Sequence, residues 1–128
     1  MQLRTDEIIR AKLPDFLDAI ARAVEDQAAR LQQTFPDKAG YKTSFRRGQN
    51  DFILTKAAHP TDSISGNYSS TAKTITISLD KVDAMNIHPY VFEIHLDAND
   101  NLYASFKGTT KMPAAIAEFA IKKLCKIQ

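Results

Sequence analysis

Residues 90–107, YVFEIHLDANDNLYASFK, constrain the fold of this chain more than any other stretch. Every second residue is apolar on both sides of a polar break, at Tyr90, Phe92, Ile94, Leu96, Leu102, Ala104 and Phe106. A period of two is that of a half-buried strand, and here it occurs twice. The break at residues 97–101 has short polar side chains that suit a hairpin loop. The pattern predicts an antiparallel hairpin whose apolar face another element must cover.

Two amphipathic segments, one near each end of the chain, are predicted to provide that cover. In residues 14–34 the apolar positions recur at intervals of three and four, as in a helix. They are Phe16, Leu17, Ile20, Val24, Ala28 and Leu31. Thr5 is the predicted N-cap of a helix that begins before residue 14. Because proline in a helix interior removes a hydrogen bond, Pro14 predicts either a new helix or a kink there.

The second helix is predicted near the C-terminus, where residues 109–113 offer a hydroxyl cap and a proline in the first turn. The apolar residues on one side of this helix are Met112, Ile116, Phe119, Ala120, Leu124 and Ile127. Lysines at its end suit the negative pole of the helix dipole. Both ends of the chain therefore supply an apolar helix face.

Two more hairpins are predicted between the helices, with strands at residues 41–47 and 51–57 and at residues 63–69 and 72–79. Residues 80–87 are predicted to form a short helical turn that His88 and Pro89 end. The expected fold is a single α+β domain over residues 1–128. It has an antiparallel sheet of about six strands, in three hairpins, with a long N-terminal helix and a C-terminal helix packed on one face.

The overall composition excludes several classes of protein. The net charge of +2 is too small to indicate a nucleic-acid-binding protein. Cys125 is the only cysteine, so an intrachain disulfide is excluded and a reducing compartment is expected. The first residues include Asp6 and Glu7 and lack the apolar run of a secretory signal. No run approaches the length of a membrane span, so we expect a cytoplasmic protein with no membrane partner.

Charge is unevenly distributed along the chain. Residues 38–56 and residues 107–128 each contain five basic side chains and one acidic one, whereas residues 57–106 contain two basic and six acidic ones. If the two basic segments share a face, they would attract phosphate or an acidic protein surface. If they do not, they are ordinary solvated charge.

The sequence has none of the usual nucleotide, hydrolase or metal motifs, and no cofactor is expected. The best catalytic hypothesis places His95 on the polar face of the sheet beside Glu93, with Arg46 sharing that face. An imidazole with a carboxylate and a guanidinium could cleave RNA through its own 2′-hydroxyl. His59 and His88 precede prolines in turns, and spacing gives no reason for them to converge with Asp62 or Asp83 on a metal.

The candidate binding residues are those of a basic turn and of the neighbouring polar face: Lys42, Arg46, Arg47, Gln49, Tyr103 and Lys107. Arginines on a tight turn present planar donors to carboxylates or phosphates. A sheet that is covered on one face and polar on the other is a common platform for a macromolecular partner, through its face or an edge strand.

The first functional hypothesis is a non-enzymatic protein-binding module: an immunity protein, an inhibitor or a secretion-chaperone-like adaptor with an acidic protein partner. The predicted element order is similar to that of the small dimeric chaperones of secreted effectors, although those are typically acidic and this chain is not. A homodimer through a sheet edge or a helix stays open. The alternative is a small metal-free ribonuclease or RNA-binding protein that uses His95, Arg46, Arg47 and Lys107.

Overall fold

The computed structural model describes residues 2–127, with side chains from residue 4 onward. In chain order the elements are α1 (Gln2–Thr34), a 3-10 turn (Ala39–Tyr41), β1 (Thr43–Arg47), β2 (Asp51–Lys56), β3 (Ser63–Ser69), β4 (Thr74–Lys81), β5 (Asn86–Leu96), β6 (Leu102–Phe106), β7 (Thr109–Lys111) and α2 (Pro113–Cys125). All the strands form one antiparallel sheet in the order β1-β2-β3-β4-β5-β6-β7. The predicted α+β class is confirmed, with seven strands instead of about six.

The hairpin predicted from strand alternation is present as β5 and β6. Glu93 pairs with Ser105 and His95 with Tyr103, and the loop between the strands covers residues 97–101. The Asp97 carboxylate closes this loop by accepting the Asn99 and Asn101 backbone N–H groups at 2.8 and 2.9 Å. Short polar side chains that bond nearby backbone are the reason this loop could be predicted.

Both helices pack on one face of the sheet, which we call the inner face, and the opposite face is the outer face. α1 runs unbroken through Pro14, which is exposed. Leu13 and Leu17, one on each side of the proline, are fully buried. Burial of the apolar side of α1 stabilises the helix across Pro14, where helix propensity alone predicts a break.

The core lies between the helices and the inner face. Its largest fully buried side chains are Phe52, Phe92, Leu13, Leu17, Ile20, Leu54, Ile64, Ile75, Ile77, Ile116, Leu124 and Val24. The Phe92 ring stacks on Phe106 with centroids 4.8 Å apart and meets Phe119 of α2 edge-on at 5.5 Å. The side chain of Gln27 also donates to the Ala114 carbonyl at 3.1 Å, which joins α1 to the start of α2.

Polar contacts hold the first turns of α1 over the sheet's loops. The Lys73 ammonium lies 2.8 Å from the Asp6 carboxylate, and the pair is largely shielded from solvent. Arg10 donates to the Ser70 carbonyl at 3.3 Å, and Arg4 pairs with Asp100 at 3.8 Å. Within the described residues, neither helix has an apolar stretch that meets the requirements of a membrane span.

Thr5 is not the N-cap that the sequence predicts, because it lies inside α1, which already includes Gln2. Two predictions about residues near the strands are also wrong. Residues 80–87 do not form a helical turn: β4 runs to Lys81, β5 starts at Asn86, and a tight turn joins them with Met85 at φ +50°. Thr109 does not cap α2, since it belongs to β7, and Met112 precedes the helix without a side-chain cap. In both places pairing between strands outweighs local capping signals. The element order that resembled the effector chaperones is therefore not found.

A glycine on the inner face gives a test of this packing. A Cβ on Gly66 would lie 2.3 Å from a ring carbon of Phe52. We therefore expect Gly66→Ala to lower the free energy of unfolding by about 1–3 kcal/mol, as overpacked cores do. Urea denaturation measures this change.

Gly40 is the matched control, because a Cβ there would contact nothing within 4 Å and its φ is not positive. Gly40→Ala should leave the unfolding free energy unchanged or slightly raised. Equal destabilisation by the two substitutions would contradict the packing described around Phe52.

Candidate functional site

The predicted binding residues fall into two groups at distant positions in the sheet. Lys42, Arg46 and Gln49 are exposed on or beside β1, at one edge of the sheet. Tyr103 lies on β6 and Lys107 follows it in a turn. Five strand spacings separate β1 from β6, which corresponds to roughly 24 Å. The two groups of predicted binding residues therefore do not form one continuous patch.

Arg47 faces the helices and not the outer face that Arg46 occupies. Its guanidinium donates to the Asp51 carbonyl at 2.7 Å and lies 3.5 Å from the Asp18 carboxylate of α1. Asp18 also pairs with Arg22 at 2.9 Å. Arg47 thus joins the β1–β2 hairpin to α1, with both terminal nitrogens of its guanidinium in contact with other residues of the protein.

His95 lies on the outer face, as its position in the alternation predicts. Its Nε2 is 2.8 Å from the Ser105 hydroxyl and 3.9 Å from the Glu93 carboxylate, and its ring lies 5.2 Å from that of Tyr103. Serine and carboxylate thus share one ring nitrogen, whereas a nucleophile–base pair has its orienting carboxylate on the other. Arg46 is four strands away, so the structure does not bring this guanidinium to the imidazole.

A pocket of about 360 Å³ opens beside His95, between the first turns of α1 and the ends of β4 and β5. Its lining includes the ion-paired Lys73 and Asp6, together with Glu93. The Lys73 ammonium already forms an ion pair with the Asp6 carboxylate at 2.8 Å. The pocket therefore offers little positive charge to a phosphodiester.

The two histidines that precede prolines do not form a metal centre, and His88 lies in β5 and not in the predicted turn. His59 Nε2 lies 3.4 Å from the Asp83 carboxylate, a convergence that spacing did not predict, and both side chains are exposed. Asp62 is buried and accepts the Val82 backbone N–H at 3.0 Å. Over residues 2–127, no cluster of three or more His, Cys, Asp or Glu side chains is arranged to hold a metal ion.

The site that the sequence did not predict is the free side of β5. β5 has 11 residues but β6 only 5, and β6 pairs with β5 only at residues 93–96. The Ile94 N–H donates to the Lys73 carbonyl beside β4, whereas the Asp97 N–H donates to Asn101 on the β6 side. Alternate residues of a strand direct their backbone groups to opposite neighbours.

Ile87, Pro89 and Val91 therefore direct their backbone groups away from β4, toward the side where β6 has already ended. Ile87 and Val91 present an N–H and a carbonyl there, and Pro89 presents a carbonyl only. In the part of the chain that the structure describes, the only strand that pairs with residues 86–91 is β4. We call this unpaired side of residues 87–91 the open edge.

Exposed apolar side chains accompany the open edge. Ile87 is 61% exposed and Val91 49%, and Met85 in the adjoining turn is 93% exposed. With the exposed Pro89 they form a line along the outer face of β5, which we call the apolar stripe. Unpaired backbone and exposed apolar side chains thus occur on the same strand.

One signal in the sequence could have identified this site. Pro89 suggests the end of a segment, yet proline is tolerated in a strand whose N–H side faces away from the sheet. If the strand continues through Pro89 back to Asn86, it is much longer than β6. The excess length is the open edge.

No family model matches this chain, and no match was found among curated proteins or solved structures.

Hydrogen exchange tests the open edge directly. We expect the Val91 amide to exchange on the order of 100-fold or more faster than the Tyr90 amide, because Tyr90 is bonded to β4 and Val91 is not. Exchange measured by NMR at single residues gives this ratio. The Glu93 amide, which faces Ser105, should be protected, and equal protection of Val91 and Tyr90 would mean that the edge is covered.

Cys125 is half-buried at the end of α2, and it behaves as a small apolar residue. Burial raises the pKa of its thiol, and the nearby Lys56 ammonium opposes that effect. A raised pKa favours the neutral thiol in the folded state, so this contribution to stability is lost as pH rises through the folded pKa.

We therefore expect Cys125 to react with an aromatic disulfide reagent more slowly in the folded protein than in denaturant at about pH 8. The folded rate should still be rising above pH 9.0, the ordinary thiol pKa. Absorbance of the released thiolate measures both rates. Equal rates in the two states at about pH 8 would contradict the burial of this side chain.

Proposed function

We propose that this protein is a non-enzymatic protein-binding module that accepts an extended strand of its partner at the open edge of β5. The observation that carries this proposal is that unpaired backbone and exposed apolar side chains coincide at residues 87–91. Strand addition needs both, since main-chain hydrogen bonds supply affinity and alternate side chains supply specificity. Immunity proteins, inhibitors and adaptors are all roles that such a module could serve.

Neither kind of contact is sufficient alone. A backbone hydrogen bond adds about 1 kcal/mol net, and complete burial of an isoleucine or valine side chain about 1.5–3 kcal/mol. Ile87 and Val91 are about half exposed, so each can contribute roughly half of its burial value. Both terms together are needed to offset the entropy of ordering a partner strand.

The other edges of the sheet are less suited to this role. β1 is bordered by Lys42, Arg46 and Arg47, and charged side chains discourage strand pairing. β7 has only 3 residues. By comparison, the open edge of β5 has apolar neighbours, and pairing with β6 stops before it.

RNA cleavage or binding is the second candidate, and it has weaker support. The contact between His95 and Ser105 suits proton transfer, but Arg46 and Arg47 lie far from it and Arg47 faces α1. Binding of single-stranded RNA that weakens steeply with salt, together with cleavage that His95→Ala abolishes, would favour this candidate over the first.

Crosslinking tests the proposal in the cells that produce the protein. A photoreactive amino acid at position 85, next to the open edge and almost fully exposed, should form a covalent adduct with one discrete protein. Adding Val91→Pro, which removes an N–H at the open edge, should reduce the adduct at least about tenfold, because the partner loses that bond. Gel analysis and mass spectrometry measure the adduct.

Val91→Ile is the matched control, because it keeps the N–H, the β-branched shape and the apolar side chain. It should preserve the adduct, and thermal melts should show that both variants remain folded. An adduct that survives Val91→Pro would contradict strand addition, and the lack of any adduct at position 85 would contradict a protein partner at this edge.

A further inference from the structure

The space beside the open edge has a distinct chemistry on the inner face. Tyr90 points inward from β5, and its ring meets Phe119 of α2 at 5.1 Å and Phe106 at 6.2 Å. The Lys123 ammonium lies 5.4 Å from the centre of the Tyr90 ring and 5.5 Å from that of Phe119. An ammonium group is thus placed next to the part of β5 that has no strand on its β6 side.

A second ammonium lies where β6 ends. Continuing the register of β5 and β6 would place residue 107 opposite Val91, but Lys107 turns away with φ +50°. Its Nζ lies 5.3 Å from the centre of the Phe106 ring. Lys107 and Lys123 therefore contact the same aromatic cluster, which lies next to the open edge.

α2 adds a groove beside this cluster, with a volume of about 520 Å³ and lined by Phe119, Lys122, Lys123, Lys126 and Ile127. Lys122 pairs with Glu118 at 2.9 Å. Among the residues with described side chains, Lys123 and Lys126 form no ion pair. We call this groove and the two ammonium groups of Lys107 and Lys123 the lysine groove.

We propose that the strand accepted at the open edge is an acidic segment in which apolar and acidic residues alternate. This inference rests on the proposed function. Side chains of an added strand point alternately to the two faces of the sheet. Those on the outer face would meet the apolar stripe, and those on the inner face would meet the lysine groove. Carboxylates complement the latter, since residues 107–128 contain five lysines and one glutamate.

Fluorescence anisotropy with two labelled octapeptides tests the inference. One peptide alternates valine and glutamate, and the other alternates valine and lysine. We expect the glutamate peptide to bind at least tenfold more tightly than the lysine peptide, and the difference to shrink as salt is added. Lys123→Glu should remove or reverse this preference.

Lys38→Glu is the matched control. The Lys38 ammonium also stacks on two rings, 5.7 Å from Phe35 and 5.2 Å from Tyr41, but it lies near β1. Lys38→Glu changes the net charge by the same amount as Lys123→Glu but leaves the lysine groove intact. The preference for the glutamate peptide should therefore be retained. Loss of the preference in both variants would show that overall charge, and not the lysine groove, selects the peptide.

The outcomes separate the inference from the function on which it rests. If both peptides bind equally and Val91→Pro abolishes that binding, strand addition is supported and the acidic partner is overturned. Glutamate-peptide binding that Val91→Pro leaves intact overturns strand addition, and with it the inference. If neither peptide binds up to about 1 mM, the inference is overturned, whereas crosslinking at position 85 decides the proposed function separately.

Discussion

Burial on only one side of the sheet is the constraint on which the rest of this structure depends. α1 and α2 contact each other and cover the inner face, where Phe52 and Phe92 are fully buried. Every strand must therefore alternate in the same phase, which makes the outer face rich in hydroxyl groups. Because two helices cover only part of the sheet, the β4–β5 hairpin extends to Met85 beyond the main core. The open edge lies on this hairpin, beyond the point where pairing with β6 stops.

The sequence was informative where a signal is periodic over many residues. Alternation over residues 90–107 and the three- and four-residue spacing of residues 14–34 predicted the β5–β6 hairpin, α1 and the covered face. Prediction failed where short-range signals compete with pairing between distant residues. Thr109 has the chemistry of a cap, but a place beside β6 makes it part of a strand, and no local pattern encodes that choice.

The candidate site could be predicted only in part, for a related reason. The side on which His95 lies follows from alternation, and so does its proximity to Glu93. The distance from Arg46 to His95 depends on the order of strands, which alternation does not encode. Arg47 differs from Arg46 by one position, and this one-residue shift turns it from solvent to Asp18. The open edge depends on where β6 ends relative to β5, so it can be recognised only after the register is known.

Pro89 has a consequence for how copies of this protein treat one another. Two identical chains that met antiparallel at this strand, with the two-fold axis at residue 89, would set proline against proline. Neither could donate to the other, so the central bonded pair would be missing on both sides. A partner strand that places a residue other than proline opposite Pro89 would lack only the one bond that Pro89 cannot donate. In that register, Pro89 removes both central bonds between two copies of this strand but only one bond to a strand of different sequence.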